Sequence, residues 1–265
     1  MRGKGRTAVS EGKGGAPGGF PFRVLLLDEV SSTNDEVKRA LDDGEPEGLV
    51  VRALRQVAGY GRQGRAWTSP AGGLYCSLLL RPQVEPRELP TLSLVVGMAV
   101  RRALVALAGD AAAQSVRIKW PNDVVCEQGK LCGISLEAHG GGVCVGVGVN
   151  VLPPDERPDV GGKNRAAYVA DLVPAAPPSI ETVLAAFLAA FSPLYDEWTR
   201  AGFAALVDEF NAHASLIGRT VSVVDRAGST LAEGAVRRID AQGRLVLLDA
   251  SGAETPVSSG EAHLR

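Results

Sequence analysis

An alternating run near the middle of the chain narrows what it can fold into. From Val143 to Asn150 the sequence reads VCVGVGVN, so Val143, Val145, Val147 and Val149 share one face and Cys144, Gly146, Gly148 and Asn150 the other. A period of two marks a strand. Leu131–Ala138 reads as a second strand, with His139–Gly142 as the Gly-rich turn between them. A four-residue loop sets Gly133 opposite Gly148 and Ser135 opposite Gly146, with Ile134 against Val147 and Leu136 against Val145 on the reverse. One face is core. The other is a floor almost without side chains. Glycine weakens a strand, so such a floor implies close approach by a packed helix or a flat ligand, and spacing alone leaves both open.

Just upstream, Lys119-Trp120-Pro121-Asn122-Asp123 gathers a cation, an aromatic, an amide and a carboxylate around a proline, and Lys130 stands at the mouth of the floor. Proline pushes Trp120 to an extended conformation, and a turn after it directs Asn122 and Asp123 at one site. Earlier, Gln56–Trp67 reads QVAGYGRQGRAW. Glycines there let backbone N–H groups close on an oxyanion, which arginine matches bidentately; no Walker pattern is present. Ser32-Thr33-Asn34 precedes Val37, Ala40 and Leu41 at helical spacing. On structural grounds alone those polar residues cap the helix.

These motifs resemble one family. KWPNDV (119–124), GKLCGI (129–134) and VGVGVN (145–150) together resemble the catalytic signature of biotin protein ligases. Gly59–Gly64 resembles the family's G-R-G-R-x-G loop, with Tyr60 in place of its first arginine and Arg62 at the second. The closing Gly260–Arg265 resembles the family's G-E-x-x-L-R. The resemblance covers roughly residues 22–265. It implies an α/β fold, a mixed sheet with helices mainly on one face, followed by a small SH3-like β-barrel. The expected division is a Gly-rich tail over 1–19, a biotin- and ATP-binding catalytic domain over 20–216 and the SH3-like domain over 217–265.

The implied reaction is ATP-dependent. Biotin becomes biotinyl-5′-AMP with loss of pyrophosphate, and the biotinyl group then passes to a lysine of a biotin carboxyl carrier protein. The resemblance assigns biotin contacts to Ser32, Thr33, Asn34, Gln56, Gly59, Gly61, Arg62, Gly64, Trp67, Lys130 and Gly133. It assigns ATP contacts to Trp120, Asn122, Asn150 and Arg265. Charge considerations then single out Lys130, Arg62 and Asp123 as catalytic. Biotin carboxylate and the ATP α-phosphate repel by about 4 kcal/mol at ~4 Å and an effective dielectric of ~20. Lys130, supported by Arg62, offsets that repulsion, and Asp123 takes up or orients the proton of the acceptor lysine. Mg²⁺ is expected to accompany the triphosphate, with no protein metal site.

Composition fits a soluble enzyme. The chain has 265 residues and a net charge of −2, which gives no global basic field for nucleic acid. Four cysteines without paired spacing, and no leader or spanning segment, suggest reduced thiols and a cytoplasmic location. Residues 1–19 are expected to be disordered and too few for a DNA-reading domain, so the ligase-only form is expected, without specific DNA or membrane partners and as a monomer or weak homodimer. Arg101 and Arg102 are expected towards the exposed end of a buried helix, and Pro193 is expected to kink a long helix capped by Ser179. Lipoate or octanoate transfer on the same architecture, a non-catalytic repressor and a Ser or Cys hydrolase are the rival readings; the last lacks a G-x-S-x-G motif and an identifiable histidine partner for Cys132.

Overall fold

The computed structural model describes residues 20–155, 165–249 and 251–265. The expectation for 1–19, and part of the Pro153–Gly162 loop, fall outside them. The chain begins with β1 (Arg23–Val30), α1 (Thr33–Asp42), β2 (Leu49–Gln56) and β3 (Gly73–Leu80). Then come α2 (Leu92–Ala108), α3 (Asp110–Ser115), β4 (Arg117–Lys119), β5 (Asp123–Cys126), β6 (Gly129–His139) and β7 (Gly142–Asn150). These seven strands form one mixed sheet in the order β1-β2-β3-β7-β6-β5-β4. Only β1 and β2 pair in parallel, because α1 crosses over between them.

The central hairpin has the register expected from the alternation: Gly133 pairs with Gly148, Ser135 with Gly146, Ile134 with Val147 and Leu136 with Val145. The turn is tighter than expected, with His139 pairing Gly142 across only Gly140 and Gly141. Both glycines have positive φ, 53° and 69°, as a two-residue hairpin of the right twist requires.

The valine face lies in the main core beneath α2 and α5 (Ile180–Ala201). By length and apolar composition Leu89–Ala108 passes for a membrane span, but 67% of that window is buried inside the fold. It packs against α5 and the sheet as a core helix does. Serine 179 caps α5, its hydroxyl accepting from Thr182 N at 3.1 Å. Proline 193 interrupts neither the helix nor its aromatic stripe, since the Phe191 and Tyr195 rings on either side lie 5.3 Å apart. Phe187, Phe191 and Trp198 are fully buried, and each such side chain contributes about 2–3 kcal/mol of transfer free energy.

Arg101 corrects the sequence reading. It is 7% exposed, and its guanidinium donates to Val116 O at 3.0 Å and Ala113 O at 2.9 Å, satisfying carbonyls at the end of α3. Neighbouring Arg102 grips Glu209 on α6 (Val207–His213) with both ends of its guanidinium. A short α4 (Val169–Leu172) precedes α5.

After α6 come β8 (Thr220–Val224), β9 (Thr230–Ile239), β10 (Leu245–Leu248), β11 (Glu254–Val257) and β12 (Glu261–Leu264). They form an all-antiparallel sheet in the order β11-β10-β9-β8-β12, the strands expected of the small barrel. Turns at Asp225, Asp240 and Asp249 are each held by the aspartate carboxylate accepting backbone N–H groups downstream. The indole of Trp120 joins the two sheets, donating to Gly243 O at 3.0 Å.

Candidate active site

The packed-helix explanation of the glycine floor holds for one part of it, and the chain's own side chains cover the other. A Cβ on Gly142 or Gly146 would strike α1, at Leu41 and Asn34 respectively. A Cβ on Gly148 would lie 2.7 Å from Trp67 Cε2, and one on Gly133 would lie 2.8 Å from Trp67 Cζ3 and 3.0 Å from Lys130 Cε. Half of the floor therefore seats a helix. The other half, one pairing step along the strands or about 7 Å, lies under a tryptophan ring and a lysine stem.

Above it opens a cavity of about 510 Å³, within the range of small-molecule sites. The polar groups over Gly146 form a continuous network. Thr33 N donates to Gln56 Oε1 at 2.8 Å, and the Thr33 and Ser77 hydroxyls lie 2.7 Å apart. Ser77 Oγ donates to Asn34 Oδ1 at 2.6 Å, and Asn34 Nδ2 donates to Ser135 Oγ at 3.2 Å. Thr33 and Asn34 open α1, so the helix start aims both into the cavity. Ser32 does not join them: its hydroxyl caps the helix, accepting from Asn34 N at 3.3 Å.

The Lys130 side of the cavity is charged. Lys130 Nζ and Asp123 Oδ1 lie 2.7 Å apart, both side chains partly exposed. The backbone of Lys130 is held from several directions. Its N–H donates to Arg165 O at 2.8 Å, while its carbonyl accepts from Ala167 N and from Asn150 Nδ2, each at 2.9 Å. The turn before Asp123 passes through a cis Trp120–Pro121 peptide, and Asn122 Nδ2 donates to Ile134 O at 2.8 Å. Arg62, Arg65, Lys119 and Lys130 line the cavity against two carboxylates, Asp123 and Glu261. Four cations less two anions leave the lining at +2 in a chain of net −2. Burial draws the Arg62 pKa down, Arg65 adds to this and Asp123 opposes it, but a guanidinium stays charged.

The loop between β2 and β3 forms the roof. Trp67 N donates to Gly59 O and Gly61 N to Arg65 O, each at 2.8 Å, around a single 3-10 turn over Arg62–Gly64. Arg62 Nη1 donates to Gly260 O at 3.0 Å and Arg65 pairs with Glu261, so the C-terminal sheet closes this side. The Trp67 indole N–H is buried without an acceptor, and Lys130 Nζ sits 5.3 Å from the ring centroid. No thiol near the floor suits a nucleophile. Burial pushes Cys76 up to about 12 and raises Cys132 and Cys144 as well, which removes the thiolate a cysteine hydrolase needs.

Comparison with known proteins identifies the arrangement. Residues 26–152 match the model of the Biotin/lipoate A/B protein ligase family and residues 216–265 that of the Biotin protein ligase C terminal domain. The chain is 33% identical to a Biotin--[acetyl-CoA-carboxylase] ligase of Paracoccus denitrificans, covering 86% of this chain and 95% of that one. The chain belongs to the biotin protein ligase family. A second ligase so described, from Mycobacterium tuberculosis, is 34% identical over 93% of this chain and 91% of its own. Among solved structures, the biotin protein ligase from Aquifex aeolicus in complex with biotin and ATP superposes with a TM-score of 0.77 at 27% identity, over 91% of this chain and 98% of that one.

The ligase motifs converge on the cavity only in part. Thr33, Asn34, Gln56, Gly61, Arg62, Trp67, Trp120, Asn122, Asp123, Lys130 and Gly133 line it. Ser32, Gly59, Gly64, Asn150 and Arg265 do not. Asn150 acts on the Lys130 backbone instead, and Gly59 takes part in the hairpin backbone of the loop. Arg265 pairs with Glu233 on β9 at 2.7 Å, with its side chain largely exposed, so the expected ATP contact has no support in its position. Trp120 is 3% exposed and its indole N–H is committed to Gly243, leaving only an edge to the cavity. Sequence reading placed Ser135 on the floor face and noted Lys119 as a cation without assigning either a site role. It gave no role to Glu261 and His263, which line the cavity, or to buried Ser77, which joins the Thr33–Asn34 network behind it. The strand register alone identifies Ser135 as facing the floor. Glu261 and His263 arrive from the second sheet, which no local pattern announces.

Proposed function

We propose that the chain activates biotin with ATP as biotinyl-5′-AMP and transfers the biotinyl group to a lysine of a biotin carboxyl carrier protein. The observation that carries this reading is the polarity of the cavity. Neutral donors and acceptors of Thr33, Asn34, Gln56, Ser77 and Ser135 cluster over Gly146, and an excess of cations surrounds Lys130. A urea ring has two N–H donors and a carbonyl acceptor, which suits the first group; a carboxylate and phosphates suit the second. The Trp67 ring over Gly133 and Gly148 covers the apolar stretch between. The relatives' description as biotin--[acetyl-CoA-carboxylase] ligases, and the Aquifex complex with biotin and ATP, support the same substrates.

The first step joins a carboxylate oxygen of biotin to the α-phosphorus and expels pyrophosphate. Lys130, on its rigidly held backbone, meets both anions and lowers their repulsion, and Arg62 adds to the field. Turning towards them loosens Lys130 from Asp123. That carboxylate is then free for the second step, when the acceptor lysine, with a reference pKa of about 10.4, must shed a proton before attacking the acyl carbon and expelling AMP. Mg²⁺ would arrive with the triphosphate. Among the described residues no group of three or more His, Cys, Asp or Glu side chains is placed to hold a metal.

We further propose that the enzyme works in the cytoplasm on the carrier domain, without a specific DNA partner. Its four free cysteines suit a reducing compartment. Lipoate, which has no urea, leaves the Thr33–Asn34–Gln56 group unmatched. The test is competition among labelled biotin, lipoate and octanoate for a carrier domain with ATP present. Biotin transfer dependent on ATP is expected. Preferential transfer of either fatty acid would refute the reading.

A further inference from the structure

Tyr60 lies in the loop between β2 and β3, and its surroundings give it a task of its own. Its hydroxyl donates to Asp35 Oδ1 at 2.8 Å and accepts from Lys38 Nζ at 3.0 Å, both residues on α1. Lys38 also pairs with Glu137 on β6 and lies 5.3 Å from the Tyr60 ring centroid. Glu137 Oε1 in turn accepts from Asn34 Nδ2 at 3.2 Å. A chain of polar contacts therefore runs from the loop through α1 and β6 to an amide that faces the cavity. The loop leaves β2 beside Gln56, which holds Thr33 in the same network. Within the loop, Tyr60 bridges to Ala66, next to Trp67.

We propose that Tyr60 is a positioning residue: with Asp35 and Lys38 it latches the Gly59–Arg65 loop to α1, holding Trp67 over the glycine floor and slowing escape of the adenylated ligand. The proposal rests on the biotin-activating reading above. An arginine at this position would face Lys38 with like charge, whereas a phenol both donates and accepts, so Tyr60 and Lys38 suit one another. Stacking of Tyr60 on the ligand is not needed for this role, because the hydroxyl carries it. Burial raises the Tyr60 pKa, with hydrogen bonds to Lys38 opposing and to Asp35 adding to the rise. The phenol thus stays protonated and able to donate throughout the working range.

The test uses the full chain with labelled biotin and ATP. The enzyme–adenylate complex is isolated, and release of label is followed for wild type, Tyr60→Phe, Lys38→Met and the double variant. Phenylalanine keeps the ring and removes only the hydroxyl. Release about tenfold faster is expected from Tyr60→Phe, as for a charge-assisted hydrogen bond reduced by partial exposure. The rate of pyrophosphate formation at saturating substrate should stay within about twofold, since Lys130 and Asp123 are untouched. The double variant should release no faster than the faster single variant. Wild-type release from Tyr60→Phe would overturn the proposal. So would single effects that multiply in the double variant, because Tyr60 would then act independently of Lys38. A change in melting temperature with unaltered release would assign the contact to stability alone and overturn it as well. If the wild type forms no adenylate, the parent reading fails, an outcome distinct from any of these.

Discussion

Replacing Lys130 with alanine should abolish the first chemical step and leave the fold intact. Lys130 Nζ lies 2.7 Å from Asp123 Oδ1, and its backbone is fixed by Arg165, Ala167 and Asn150. Truncation therefore removes a charge from a site that otherwise keeps its shape. Two anions brought to ~4 Å at an effective dielectric of ~20 repel by about 4 kcal/mol, which corresponds to roughly a thousandfold in rate if Lys130 is what offsets it. Asp123, stripped of its partner, adds to the repulsion. The loss in folding stability should be about 1 kcal/mol, since the pair is partly exposed and Arg62 remains nearby. The assay is biotin-dependent pyrophosphate release, with melting temperature and biotin affinity measured alongside. Lys130→Arg should recover part of the rate. Turnover of Lys130→Ala within tenfold of wild type would refute the reasoning, because Lys130 is the cation packed against Gly133 of the floor.

Arg62→Gly removes the donor to Gly260 O and the anion contact proposed for the adenylate; it should still form biotinyl-AMP but leak it, seen as faster release and labelling of lysines on a bystander protein. Gly133→Val places a Cβ 2.8 Å from the Trp67 ring; the KM for biotin should rise at least about tenfold, against a smaller change for ATP. Stability should depend on His213, whose pKa is lowered by burial first and then by Arg101 and Arg117. The unfolded chain then takes up the proton first, so this contribution is present above the unfolded value of about 6.5 and is lost as pH falls below it. Melting temperature from pH 7.5 to 5.5 should fall less steeply in His213→Gln than in wild type.

The central hairpin was legible because its period is two and its glycines share a parity, which fixes the register without any tertiary information. The same parity did not tell what approaches the glycines, and α1 and Trp67 turn out to share them. Helix starts were legible from Ser32 and Ser179, and the Ser32 hydroxyl accepts within the helix cap, as structural grounds alone implied. Arg101 was misplaced because its position on α2 faces the end of α3, a contact no periodicity encodes. Arg265 follows the family's closing motif, yet its largely exposed side chain reaches past the paired strand β8 to Glu233 on β9, an ion pair no local pattern encodes. The tyrosine latch was invisible for a related reason: Asp35, Lys38 and Tyr60 meet only after the loop folds back on α1.

The most direct test of the account is a single-turnover chase. Protein, ATP and labelled biotin are mixed without carrier, the protein-bound label is isolated, and the biotin carboxyl carrier domain is then added without further ATP. The expected result is bound biotinyl-AMP equal in amount to the pyrophosphate released, followed by movement of the label into an amide on one carrier lysine with release of AMP. Lys130→Ala should fail at the first stage and Asp123→Asn at the second. Label that reaches the carrier without a bound adenylate, or an adenylate that forms at the wild-type rate without Lys130, would contradict it.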